Sequence, residues 1–413
     1  MSAGDILAPF TKGNPVVHRR DRVVETYPND LLAIAGGEAG ARARGHITRW
    51  PGHAPTPLRQ LPGLAAAAGL ADIAYKDEGP RFGLGSFKAL GGPYAVQRLL
   101  SRMIGGDEAD LGVDDLTGPA ARDQAATVTV CCATAGNHGR AVAWAARTFG
   151  CRCVIYIAET VSPGRADAMA ALGANIVRVS GLYEDSLAQV NADAATNGWH
   201  VISDTAGLDF GPVQCDILNG YTQLPAEFLD QWGEGPLPTH VFAQGGVGGL
   251  CAGVLVGLWE ALGGERPCFV VVEPEAEAAA CLYLSAVNKA ASVFPGDCAS
   301  VMACLACAEV NEPAWRILDR GADAFMTIAD EAAVAGMRLL ADSVGDDGPV
   351  VAGESGVAAL AGVLAAMGDA AAREVLELDG DPRVLVIGSE GATDPDLYEQ
   401  ITGRRPETVL AES

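Results

Sequence analysis

An α/β fold built on parallel sheets is what this sequence predicts, and three observations carry the prediction. Short apolar runs rich in β-branched residues alternate with helical patterns from about residue 127 onward. Glycine and small polar residues follow the runs, as they do where a strand feeds a helix. The runs are apolar along their length, which suits strands covered by helices on both faces. At 413 residues the chain exceeds one ordinary compact domain, so two lobes, or one large unit with a smaller one inserted, are expected.

Taken in order, residues 1–45 show no clear pattern and read as a helical arm covering part of the main domain. Residues 105–124 are acidic, rich in glycine and aspartate and aperiodic, and read as an exposed, partly disordered loop. The regular alternation then begins with a strand at 127–134 and a helix at 136–150 that ends in Gly150. A strand at 151–159 leads to a helix at 162–174, with Ser162 at its cap and Pro163 at its first position. A strand at 175–180, a helix at 183–195 and a strand at 200–205 continue the series. Further strands are expected at 239–244, before a glycine loop and a helix, at 268–274 and at 383–391.

Composition narrows the function classes. A formal charge of −24 repels phosphate-rich partners, which argues against nucleic acid and anionic membranes. No run of about 18 apolar residues is present, so no transmembrane helix is expected, and Met1–Phe10 lacks a secretory signal pattern. A cytoplasmic location follows as the expectation. Eleven cysteines are an odd number and a poor disulfide framework. Cys131, Cys132, Cys151 and Cys153 lie in strand-like runs where cysteine serves as a small hydrophobe. Cys304 and Cys307 form a lone pair without further ligands, so packing is expected there rather than a metal.

In parallel sheets, ligands bind beyond the carboxyl ends of the strands. Four junctions there carry chemistry. In the first, Tyr75–Tyr94, Lys88 follows Phe87 among small and apolar neighbours, where desolvation would lower an amine's pKa; a surface lysine opening a helix is the plain alternative. In the second, Thr134–Arg140, glycines and a helix N-terminus suit a carboxylate or phosphate, Asn137 could meet a planar ligand edge-on, and His138 reads as a local structural donor. The third, Gln244–Gly249, has the form of a phosphate cradle, yet lacks the Gly-Lys-Ser/Thr ending of a P-loop. The fourth, Gly388–Asp394, offers Ser389 as a partner for a ring nitrogen, with Gly353–Gly356 upstream. Singly each is an ordinary turn; together they match the needs of pyridoxal 5'-phosphate (PLP), namely a lysine, a phosphate cup and a partner for the pyridine nitrogen.

The stretches Pro55–Leu58, Ser86–Lys88, Gly136–Gly139 and Gly245–Gly249 resemble the tryptophan-synthase-β-like, or fold type II, PLP enzymes. Lys76–Glu78, Arg81–Leu84, Phe87–Tyr94, Gly136–Ala146, Ser203–Ala206, Gly353–Gly356 and Ser389–Asp394 are similar to the diaminopropionate ammonia-lyases within that group. The resemblance runs from about residue 50 to 400 and implies two domains with parallel-rich twisted sheets flanked by helices. It places residues 1–92 and 205–413 in a large PLP-binding domain and 93–204 in a small one. It makes Lys88 the lysine that bonds PLP, with Phe87 beside it, Asn137 at the phenolic oxygen, Gly245, Gly246, Val247, Gly248 and Gly249 around the phosphate, and Ser389 at the pyridine nitrogen. A neutral hydroxyl there leaves the ring a moderate electron sink, which suits β-elimination. Asp204 matches a substrate-side aspartate, able to take a Cα proton or hold a distal ammonium group; a turn cap is its plain alternative.

One position departs from the resemblance. These lyases read Thr-Asp-Gly-Asn-His-Gly-Arg where this chain has Ala135 in the aspartate's place. That aspartate is associated with the D-isomer, so the L-isomer is expected to be favoured. The implied activity is α,β-elimination of ammonia from 2,3-diaminopropionate, giving pyruvate and ammonia, in a homodimer that acts on a small amino acid. Alternatives on the same scaffold are a serine/threonine-type dehydratase and a β-replacement synthase. A non-enzymatic PLP- or nucleotide-binding regulator would leave Lys88 and Ser389 without a purpose.

Overall fold

The computed structural model describes residues 3–23, 25–205, 208, 210–275, 279–296 and 298–412. Among them the strands are β1 (Val16–Arg19), β2 (Leu58–Gln60), β3 (Asp72–Asp77), β4 (Thr129–Ala133), β5 (Arg152–Ala158) and β6 (Asn175–Val179). β7 (His200–Val201), β8 (His240–Gln244), β9 (Cys268–Pro274), β10 (Ala324–Ile328) and β11 (Arg383–Gly388) complete the set. The chain separates into two compact units. The first holds Met1–Ala33, Pro55–Pro80 and Leu224–Ser413, and the second Ile34–Ala54 and Arg81–Gln223.

The first unit carries a seven-stranded sheet in the order β1-β10-β9-β8-β11-β3-β2. Its five inner strands run parallel, and β1 and β2 pair antiparallel at the two edges. β8, β9 and β10 are buried at every residue, as expected of strands covered on both faces. The helices Gly249–Leu262 and Ala358–Gly368 are apolar nearly all round and buried nearly all round, the pattern of helices inside a large core. The helix Glu312–Gly321 instead turns Trp315, Ile317 and Leu318 inward and keeps Arg316 and Arg320 outside.

The second unit carries a parallel sheet in the order β6-β5-β4-β7. Cys131, Ala133, Val154 and Tyr156 of its strands pack with Val190 and Ala194 of the helix Tyr183–Asn197. The α/β class with parallel-rich sheets flanked by helices is therefore the class observed. The range 93–204 falls inside this unit, which also takes in 34–54, 81–92 and 205–223. Phe87 and Lys88 thus fold with it, because the helix Lys88–Gly105 packs on the helices Asn137–Phe149 and Pro212–Tyr221.

Three local expectations need correction. Residues 1–45 are not only a helical arm: Val16–Arg19 adds an edge strand against β10, and Gly37–Ile47 is a helix of the second unit; Met1, Ser2 and Val24 lie outside the described residues. Residues 105–124 form two short helices, Val113–Thr117 and Pro119–Ala125, which bury Val113, Leu116 and Ala125. A chain of polar contacts ties the preceding loop down: His46 Nε2 meets Asp110 Oδ1 at 2.9 Å, Arg98 meets the same oxygen at 3.0 Å, and Ser101 donates to Ala109 O at 2.9 Å. The strand expected at 200–205 is only His200–Val201. The Ile202 amide still reaches Cys131 O, but Ser203 folds back on Thr205 and turns the chain out of the sheet.

Cys131, Cys132 and Cys153 are buried, while Cys151, Cys304 and Cys307 are half-buried. Among the described residues no cluster of ligands could hold a metal ion, and no helix is long and apolar enough to cross a membrane.

Candidate active site

Local packing in the second unit fixes where Lys88 stands. Arg81 is buried, and Phe82 adopts a left-handed φ of 51° within an aromatic cluster, 5.3 Å from the Trp144 ring and 5.8 Å from that of Trp50. Arg140 donates to Leu84 O at 3.1 Å and so ties the run before Lys88 to the helix Asn137–Phe149. The helix Lys88–Gly105 then starts at Lys88 itself. It crosses the helix Pro212–Tyr221 closely because both present glycine. A Cβ on Gly91 would stand 2.5 Å from Tyr221 Cε1, and one on Gly220 would stand 2.7 Å from Leu90 O.

The neighbourhood of Lys88 is less apolar than its sequence suggests, because a carboxylate joins it. Its Nζ donates to Asp204 Oδ2 at 2.5 Å, and it lies 5.1 Å from the centroid of the Phe87 ring. His138 Nε2 is 2.7 Å from Ile202 O; a carbonyl only accepts, so this nitrogen carries the proton and Nδ1 faces Asp204 Oδ2 at 3.8 Å. The expected structural role of His138 holds for Nε2, while Nδ1 stands beside Asp204. Burial raises the carboxyl pKa of Asp204, but His138 and Lys88 outweigh it and hold the group well below the usual carboxylate range. Asp204 is therefore ionised at neutral pH. It lies past the end of β7, and Ala206, the last residue of its motif, lies outside the described residues.

Asn137 is the first residue of its helix, and Thr134 Oγ1 shapes the turn before it by accepting the amides of Gly136 at 3.0 Å and Gly139 at 3.2 Å. The first amides of such a helix have no intrahelical acceptor and suit an anion. Ala135 presents no acceptor side chain, and its carbonyl takes a bond from Arg165 at 3.4 Å.

In the first unit, Gly245–Gly248 connects β8 to the helix that opens at Gly249. Gly246 and Gly248 have φ of +60° and +99°, where a side chain is strained. A Cβ on Gly245 would stand 2.5 Å from Glu273 Cγ, and one on Gly248 3.0 Å from Leu318 Cδ1. Asn311 anchors the loop by donating its amide to Val247 O at 2.8 Å. This bare turn against a helix N-terminus fits the phosphate of PLP, as the sequence form suggested. Gly246→Asp is expected to weaken PLP retention by roughly tenfold or more, since it adds both left-handed strain and a like charge. Cofactor titration checks this, and unchanged affinity would contradict it.

Ser389 follows β11 and is buried. The two motifs expected around it are joined: Gly353 donates to Glu390 O at 3.1 Å, and Ser355 N donates to Glu390 Oε1 at 3.2 Å. The turn at Pro55–Leu58 is held by Lys76, fully buried, which donates to Thr56 O at 2.7 Å and Gln231 Oε1 at 2.8 Å and pairs with Glu227 at 3.2 Å.

Sequence reasoning missed Glu273, although its place at the end of an apolar strand is where polar residues were sought. It is fully buried and accepts the amides of Leu282 at 3.0 Å and Tyr283 at 2.6 Å, at the start of the helix Cys281–Asn288. Burial pushes its carboxyl up to about 8. The folded state therefore keeps a proton that the unfolded chain, with a pKa of roughly 4.3, releases. That contribution is complete below the unfolded pKa and is lost as pH rises through the interval up to about 8. Thermal midpoints of Glu273→Gln are expected to fall less than those of the wild type between pH 5 and pH 8; parallel curves would contradict this.

Residues 49–390 match the family model described as pyridoxal-phosphate dependent enzyme. Diaminopropionate ammonia-lyase of Escherichia coli (strain K12) is 38% identical over 355 residues, covering 85% of this chain and 87% of that protein. The crystal structure of the holo diaminopropionate ammonia lyase from Escherichia coli superposes with a TM-score of 0.85 at 33% identity, covering 94% of this chain and 96% of that one. The same lyase in complex with D-serine superposes with a TM-score of 0.83 at 33% identity, covering 94% and 97%. With a cofactor of this class and the fold type II architecture in common, the chain belongs to the pyridoxal-phosphate dependent enzymes.

Proposed function

We infer that this chain eliminates ammonia from 2,3-diaminopropionate, giving pyruvate and ammonia, with PLP as cofactor. The observation that carries the reading is the Lys88–Asp204 pair, an amine and an ionised carboxylate 2.5 Å apart at the start of a helix. The relatives named above support it over most of the chain. Bound PLP supplies an aldehyde that takes up amines and a pyridine ring that draws electrons from the substrate's α-carbon.

To Lys88 we assign the amine that bonds the cofactor, with Phe87 beside it. Asn137 is assigned its phenolic oxygen, the backbone of Gly245, Gly246, Val247, Gly248 and Gly249 its phosphate, and Ser389 its pyridine nitrogen. Lys88, once its amine is released, or Asp204 accepts the proton from the substrate's Cα. An ionised Asp204 also suits the distal ammonium group of the substrate. The β-amine departs, and the freed aminoacrylate hydrolyses. Ala135 leaves the opposite approach to Cα without an acceptor side chain, which supports a preference for the L-isomer.

Ala135 also favours a second reading, in which a hydroxy amino acid such as serine or threonine is the substrate. Product stoichiometry separates the two. L-2,3-diaminopropionate yields two ammonia per pyruvate, whereas serine yields one. Faster turnover of serine or threonine than of diaminopropionate would overturn the proposed substrate. A cytoplasmic homodimer is the setting proposed, on the resemblance to homodimeric family members and on the composition of the chain.

A further inference from the structure

The glycine cradle and Ser389 follow two neighbouring strands of the first unit, β8 and β11, and these strands part just before reaching them. Their register runs from His240 opposite Val384 to Phe242 opposite Val386 and stops there. Past that point each strand stays with its other neighbour: β8 pairs with β9 through Gln244, and β11 pairs with β3 through Gly388. The side chain of Gln244 crosses the gap. Its Nε2 donates to Ile387 O at 2.7 Å and to Gly356 O at 2.6 Å. Turning the amide over would set an oxygen against two carbonyls, so the nitrogen is fixed as the donor. Gln244 is buried, and its Oε1 has no hydrogen-bond partner among the described residues. The amide therefore serves here through its two donated bonds.

We propose that Gln244 is a positioning residue for the cofactor: by bonding Ile387 and Gly356 it holds Ser389 at a set span from the phosphate cradle. The proposal rests on the reading of the cradle and Ser389 as the two ends of the PLP site. The phosphate and the pyridine nitrogen of PLP hang on one aromatic ring, so the groups that meet them must keep their separation to within about 0.5 Å. Gln244 immediately precedes Gly245, and Ile387 stands two residues before Ser389. On its far side this strand end is held by the Glu78 amide, which donates to Gly388 O at 2.8 Å. The second acceptor, Gly356, lies directly on the turn after Ser389. A Cβ there would stand 2.3 Å from Glu390 O, and Gly353 donates to that same oxygen at 3.1 Å. One side-chain amide thus ties the cradle, the Ser389 turn and the Gly353–Gly356 loop together where the strand register no longer does.

A double-substitution cycle read by PLP titration of the full chain tests this. Gln244→Met keeps the approximate shape of the side chain and removes both donors. Alone it should weaken PLP binding about tenfold, as Ser389→Ala should. In the Ser389→Ala background, Gln244→Met should weaken it by no more than about twofold, because no hydroxyl is left to misplace. The absorption spectrum of the bound cofactor should change in the same sense in both single variants, a signature that a purely structural role would not give. Gln244→Asn, whose amide is one methylene short of the two carbonyls, keeps the cycle readable if Gln244→Met does not fold, and should show the same dependence on Ser389. Unchanged PLP affinity in a Gln244 variant would overturn the proposal. So would an equal loss with and without Ser389, which would leave Ser389 at the cofactor and overturn the role of Gln244 alone. Unchanged affinity and spectrum in Ser389→Ala would instead remove Ser389 from the cofactor, and the proposal with it.

Discussion

Lys88→Ala is expected to lower turnover by ~10³-fold or more, because one substitution removes both the amine that we propose engages the cofactor and a candidate proton acceptor. The chain has four lysines, and the other three are poorly placed to substitute. Lys76 is fully buried and bonded to Thr56 O, Gln231 and Glu227. Lys12 and Lys289 are exposed. The variant also strips Asp204 of its 2.5 Å partner, so its fold must be checked by circular dichroism before the rate is read. A folded Lys88→Ala protein with wild-type turnover would remove Lys88 from the chemistry.

Asp204→Asn is expected to depress L-isomer turnover by ~10²–10⁴-fold while PLP stays bound, since an amide keeps the shape of the carboxylate but not its basicity. The carboxylate is suited to that task by its surroundings: His138 and Lys88 keep it ionised despite its burial, so it is ready to accept a proton at neutral pH. Ala135 cannot accept one, and a bias toward the L-isomer of similar size is expected in the wild type if both isomers bind. Ala135→Asp should restore some D-isomer elimination, with Arg165 close enough to the loop to pair with the new charge. Pyruvate release from each enantiomer measures all three proteins. Equal D- and L-rates in the wild type would show that another group serves the second face. Full L-activity in Asp204→Asn would return Asp204 to the role of a turn cap.

Most strands legible in the sequence are buried along their length, although β6 is at best half-buried and β10, buried at every residue, is not among the expected runs. β4, β5, β6, β8, β9 and β11 lie within the runs expected at 127–134, 151–159, 175–180, 239–244, 268–274 and 383–391, because apolar β-branched residues leave few other ways to be buried. β3 escaped notice because it buries Lys76 and Asp77 through polar contacts with Glu227 and Arg59, which no hydrophobic pattern reveals. The helices Val113–Thr117 and Pro119–Ala125 were read as loop because five and seven residues are too few for a helical period to show. In the candidate site, the glycine loop and the turn before Asn137 are local features and could be read directly. The closeness of Lys88 and Asp204 is not local: 116 positions separate them, and the residue match alone suggested a shared task.

The central claim is that Lys88 bonds the cofactor. Borohydride reduction of the holoenzyme followed by peptide mapping tests it directly, since reduction makes the lysine–cofactor bond permanent and only four lysines can carry the label. The label is expected on the peptide containing Lys88, in a yellow protein that loses its activity on reduction. Label on Lys12, Lys76 or Lys289, or no label in a protein that still releases pyruvate, would contradict the account.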